Sequence, residues 1–133
     1  MASKREYERI KVTASAVLFF KSEEYAADLI DVSETGVGIQ LEKKIPNIKI
    51  NDVFNFHATD KYELYNIEKS NFLIESARVV RIMENEKGFF IGCELITPSE
   101  NFIDYVSNRK VAIFFNNNCK MSIYHPYQED PFL

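Results

Sequence analysis

Tryptophan is absent from this 133-residue chain, and cysteine, glycine and proline are scarce, with two, four and four copies. Two cysteines without patterned spacing, Cys93 and Cys119, exclude a disulfide framework and a cysteine-rich zinc site. Cys93 reads as a small buried hydrophobe and Cys119 as a free loop thiol. The two histidines, His57 and His125, have no cysteine or carboxylate at ligand spacing, so no metal is expected. Long apolar runs are also missing. The longest, Ala16 to Phe20 and Val111 to Phe115, fall far short of the roughly 20 residues of a membrane-spanning helix. The basic N-terminus has no apolar stretch behind it of the kind a secretory signal carries. A cytoplasmic protein with no membrane span is the expectation. Positive charge is in deficit too: 16 Lys and Arg against 20 Asp and Glu leave a net charge of −4. That balance argues against a nucleic-acid partner, which would call for a basic face.

What is present is the composition of one globular domain, 46% hydrophobic and 27% charged. From Ile10 to Phe20, Ile10, Val12, Ala14, Ala16, Leu18 and Phe20 alternate with Lys11, Thr13 and Ser15, the period of a half-buried strand. Tyr25 to Asp31 and Gly36 to Leu41 read as two further strands, with turn chemistry between them in Ser33-Glu34-Thr35-Gly36. Asp52 to Ala58 gives a fourth strand. Thr59 to Ser70 is polar and charged, and Phe72 to Met83 resumes as a fifth strand whose alternation slips at Val79-Val80, the mark of a bulge. Asn85-Glu86-Lys87-Gly88 turns the chain into a sixth, Phe89 to Ile96. Thr97-Pro98-Ser99-Glu100 predicts a helix start, with Thr97 as N-cap, Pro98 in the first turn and Glu100 three residues after the cap. The helix is expected to reach about Lys110. Val111 to Phe115 either extends it or forms a separate β-prone piece, and Asn116-Asn117-Asn118 is expected to break whatever precedes it. Six short strands and one terminal helix suit a small antiparallel barrel that leaves no sheet edge open.

Two elements carry the functional signal. Arg5-Glu6-Tyr7-Glu8-Arg9 reads as RxxxR, in a stretch where Lys4, Arg5, Arg9 and Lys11 outnumber the acids, and Asp31-Val32-Ser33-Glu34-Thr35-Gly36 reads as DxSxxG. In this order, and in a β-rich setting, they resemble the signature of the PilZ domain, a family of bacterial receptors for the second messenger cyclic di-GMP. The resemblance spans about residues 4 to 110, including the Gly-Phe-Phe-Ile-Gly-Cys-Glu-Leu stretch of the last strand. It implies a mainly β fold, a six-stranded antiparallel barrel with a C-terminal helix. The expected organisation is a flexible segment over residues 1–10, the barrel plus helix over 10–110 and a C-terminal extension over 111–133.

The resemblance also implies that Arg5, Arg9, Asp31, Ser33 and Gly36 contact the ligand or support it. The chemistry suits a cyclic dinucleotide. A guanidinium fork binds phosphate or the guanine O6/N7 edge in bidentate fashion and stacks on a flat base. The Asp31 carboxylate suits the guanine N1–H and N2–H donors, and Ser33 adds a hydroxyl. Gly36 permits a tight bend or close backbone approach that a side chain would block. Lys4, Gly38 and Arg78 are further candidates; Arg78 and Arg81 lie on a strand that faces either water or the ligand groove.

No Gly-x-Ser-x-Gly elbow surrounds Ser33, and no Gly-rich phosphate loop or paired-carboxylate motif appears, so no catalytic residue, cofactor or enzyme activity is expected. The function implied is a receptor that passes its signal to a downstream protein. The alternative is an adaptor that keeps the barrel and works through protein contacts without nucleotide. Ile113, Phe114, Phe115, Ile123, Tyr124, Tyr127, Phe132 and Leu133 make the C-terminal stretch apolar, either as extra core or as a surface for a partner or a second copy in a homodimer. The segment up to Arg9 is polar, charged and outside the first strand, so it is expected to move without ligand and fold across the barrel when ligand arrives. Limited proteolysis is therefore predicted to cut before Arg9 more slowly at saturating cyclic di-GMP; an unchanged cleavage rate would refute the closure.

Overall fold

The computed structural model describes residues 8–123, with side chains as far as 115. Arg5, Lys4, His125, the aromatic residues from Tyr124 onward and the side chain of Cys119 lie outside the described residues. Six strands precede one helix: β1 (Ile10–Phe20), β2 (Glu23–Val32), β3 (Gly36–Leu41), β4 (Val53–Leu64), β5 (Ile67–Asn85), β6 (Gly88–Leu95) and α1 (Glu100–Ile123). All neighbouring strands pair antiparallel in the order β1-β2-β3-β6-β5-β4. Pairing of β1 with β4, from Ser15 opposite Thr59 to Phe19 opposite Asn55, closes the sheet into a barrel.

The period-2 pattern of β1 is what fills the interior. Ile10, Val12, Ala14, Ala16, Leu18 and Phe20 all point in, meeting Leu29, Val32, Val37, Ile39, Phe54, Phe56, Leu73, Val79, Ile91 and Cys93. Ile45 and Ile48, from the connection into β4, join the same core. Hairpins join β1 to β2 through Lys21-Ser22 and β4 to β5 through Tyr65-Asn66, and all four of these residues have φ between 52° and 67°. Two successive left-handed residues match the right-handed twist of the flanking strands.

The second hairpin corrects the sequence reading. Residues 59–70 are not a polar connection: β4 runs on to Leu64, and β5 starts at Ile67. The inward row of β4 continues as Ala58, Asp60, Tyr62 and Leu64, and the acid in that row hides the alternation. Asp60 is only 3% exposed, and its charge is met from α1. The Tyr105 hydroxyl donates to Asp60 Oδ2 at 2.6 Å, and Arg109 Nε lies 3.1 Å from the same oxygen. Arg109 also sits over the Tyr62 ring at 4.7 Å, and Tyr62 donates to Asn71 Oδ1. Burial raises the pKa of both tyrosine hydroxyls, which keeps them as neutral donors.

The helix boundaries also differ from expectation. Ser99, not Thr97, is the cap: its Oγ accepts from Phe102 N at 3.0 Å. A buried carboxylate on β5, Glu75, accepts from both Ser99 N and Ser99 Oγ, so the start of the helix is set by a strand 24 residues away. Val111 to Phe115 extends the helix, which continues through Asn116-Asn117-Asn118 to Ile123 instead of breaking there. Phe102, Tyr105, Val106 and Ala112 bury its inner face. The expected slip at Val79-Val80 is present as a register shift between Val79 and Arg81 against β6.

Tyr105→Phe removes one donor from a buried carboxylate, for which the cost is about 1–3 kcal/mol. Denaturant unfolding is predicted to show that loss with the slope unchanged.

Candidate functional site

The turn between β2 and β3 is built by Ser33. Its Oγ accepts from Gly36 N at 3.1 Å and Thr35 N at 3.4 Å, while its own amide donates to Gly36 O at 2.9 Å. At 4% exposure Ser33 is inside the turn, so its first task is to shape the loop that carries Asp31. Asp31 is the last outward-facing residue of β2 before that turn. A register shift between Leu29 and Asp31 places it opposite Gly38 of β3.

Two glycines let charged groups lie flat on β3. A Cβ on Gly38 would come within 2.8 Å of both Asp31 carboxylate oxygens, and one on Gly36 would come within 2.8 Å of Arg9 Nη2 and of Cys93 O. Neither has a positive φ, so the need for glycine here is close approach and not backbone handedness. Arg9, just ahead of β1, reaches over to donate Nη1 to Asp31 Oδ1 at 2.5 Å, with the two side chains 23% and 21% exposed. The sequence-predicted Arg9, Asp31, Ser33, Gly36 and Gly38 thus come together in one place.

Arg78 does not join them. It lies on β5 opposite Glu94, pairs with that carboxylate, and donates Nη1 to Asn51 Oδ1 at 2.7 Å. Arg81, on the same strand, takes a different place, which its register sets. Asp31 faces Gly38, Gly38 faces Gly92, and Gly92 faces Arg81, four residues in one row across β2, β3, β6 and β5. The Arg81 side chain lies against Gly92 and over the Phe90 ring at 5.6 Å. The signal for it was the bulge at Val80, which gives Arg78 and Arg81 the same outward face despite their odd spacing.

The outcome is a strip without side chains of its own, Gly38 beside Gly92, buried under Asp31 on one side and Arg81 on the other, with Arg9 against Asp31. A flat polar ligand with anionic groups finds there an acceptor for its N–H edge and two guanidinium forks. Inward from this strip, Cys93 is buried and its thiol is pushed up by burial, which makes it an inert core residue. Among the described residues no cluster of histidine, cysteine and carboxylates is arranged to hold a metal ion. No described helix is long and apolar enough to cross a membrane.

Solved structures share this fold. The chain is similar in fold to the PilZ domain of Escherichia coli YcgR with c-di-GMP, at 12% identity and a TM-score of 0.61, covering 93% of this chain and all of that one. The E. coli YcgR structure in complex with c-di-GMP matches with a TM-score of 0.68 at 13% identity over 90% of this chain. The Bacillus subtilis inhibitor of motility, MotI (DgrA), matches at 0.67 and 13% over 88%. The chain spans 50% of the length of the YcgR complex chain and 54% of MotI. Curated protein sequences give no match. The PilZ domain family model matches residues 3–107, which take in both sequence elements and all six strands. The chain belongs to the PilZ domain family.

Proposed function

We propose that this PilZ chain is a receptor for cyclic di-GMP that passes the signal to a partner protein, without catalysis or cofactor of its own. The observation that supports it most is the Arg9–Asp31 pair laid against Gly36 and Gly38. One guanine would present its N1–H and N2–H groups to Asp31. Arg9 and Arg5 would close on the phosphates or the O6/N7 edge, with Arg81 reaching in from β5. Ser33 holds the turn in shape, and its hydroxyl proton is the group it can offer to the ligand. Lys4 precedes the first arginine as an additional cation. Arg78, engaged with Glu94 and Asn51, stands outside this set. The segment over residues 1–10 acts as the closing arm and residues 111–133 as the extension.

The adaptor reading has one observation in its favour. Phe72 and Ile74 on β5 are 54% and 57% exposed, beside the His57 ring that Phe19 and Phe72 flank on the outer wall. A protein partner has an apolar surface to use there whether or not nucleotide is bound.

Calorimetric titration with cyclic di-GMP, with GTP as control, separates the two. Saturable binding is expected, and Arg9→Ala is expected to weaken it about ten- to a hundred-fold, since a charge-assisted hydrogen bond contributes about 1.5–3 kcal/mol. No binding by the folded protein at high micromolar ligand would leave the adaptor reading in place. Gly38→Ala is expected to weaken binding by at least about ten-fold with little loss of stability: the new methyl displaces only the flexible end of Asp31, at a φ any residue adopts. A thermal melt beside the titration checks both halves of that statement.

A further inference from the structure

The turn that carries Asp31 is held from two sides. Arg9 holds one. On the other, Lys110 Nζ of α1 donates to Glu34 Oε2 at 2.7 Å, with both side chains 31% exposed. Glu34 is a variable position of DxSxxG, lying between Ser33 and the Thr35 and Gly36 amides that Ser33 Oγ accepts. Its second oxygen, Oε1, is shut off from solvent and has no hydrogen-bond partner among the described residues. A carboxylate in that position keeps its charge at tolerable cost only while a cation sits on the other oxygen. The Lys110 bond outweighs burial and holds the Glu34 carboxyl below its ordinary value. Elsewhere α1 is fixed to β4 through Tyr105 and Arg109 on Asp60, and to β5 through Ser99 on Glu75. Among the described residues, Lys110 joins the helix to the β2–β3 turn by a side-chain hydrogen bond.

We infer that Lys110 is a positioning residue for the nucleotide site: by holding Glu34 it sets the turn that presents Asp31, and it links the seating of α1 to occupancy of the site. This rests on the receptor reading. Linkage requires reciprocity, so a ligand that favours the held turn must tighten the helix by the same free energy. Without Lys110, Glu34 turns out toward water to hydrate its oxygen, and the Thr35 and Gly36 amides lose their fixed geometry.

Hydrogen exchange on the full chain without ligand tests the tether directly. Lys110→Ala is expected to speed exchange of the Thr35 and Gly36 amides several-fold, Glu34→Gln to speed exchange of α1 around Lys110, and Lys110→Arg to restore the protection. Unchanged exchange in a folded Lys110→Ala protein overturns the inference. With cyclic di-GMP added, the wild type is expected to protect α1, and Lys110→Ala to lose that protection along with about five-fold in affinity. Equal affinity and equal helix protection in the two proteins overturn the coupling. A wild type that binds no cyclic di-GMP overturns the receptor reading and the ligand half of this inference, while ligand-free exchange still decides the tether.

Discussion

Closure of the sheet by β1 against β4 is the constraint from which the rest follows. An open six-stranded sheet would leave two long rows of unpaired backbone groups; the closed one pairs the middle of both and encloses an interior that side chains fill. That interior takes every second residue of each strand, so binding chemistry is pushed to the outer wall, the turns and the ends. The candidate site accordingly lies outside the barrel, on the backs of β3 and β6. There glycine takes the place of outward side chains at Gly36, Gly38 and Gly92 and leaves room for Arg9, Asp31 and Arg81 to lie against the backbone.

Closure is accompanied by local departures from regular pairing, and two of these aim groups of the candidate site. The shift in β2 between Leu29 and Asp31 sets the carboxylate over Gly38, and the shift in β5 between Val79 and Arg81 sets a guanidinium against Gly92. Bulges bend strands and turn side chains to a new direction, so the same irregularities that curve the wall place the two sides of the strip.

The helix end of the barrel follows a different rule. Asp60 and Glu75 are acids at inward positions, each buried and each answered by α1, through Tyr105 and Arg109 for one and Ser99 for the other. Buried carboxylates are costly unless paired and hydrogen-bonded, and their partners here come from one element. The helix is thereby fixed in position and register, which a purely apolar contact would specify less sharply. Glu34 and Lys110 continue this pattern at the edge of the candidate site.

Much of the fold and part of the site were legible in the chain because they rest on local patterns. The alternation from Ile10 to Phe20, the slip at Val79-Val80 and the turn chemistry of Ser33 to Gly36 are properties of neighbouring residues, and strands and turns obey them. Arg9, Asp31, Ser33 and Gly36 were readable as a motif, as was family membership. Tertiary structure decided the rest, wherever a distant partner changes what a residue costs. Asp60 reads as part of a polar connection until Tyr105 and Arg109 meet it, Thr97 reads as a cap until Glu75 favours Ser99, and the asparagines at 116–118 read as a break in a helix that runs on through them. Whether Gly36 serves handedness or close approach, and which strand arginine lies against Gly92, depends on strand register. Register is a relation between segments far apart in the chain, and it emerges only when the barrel closes.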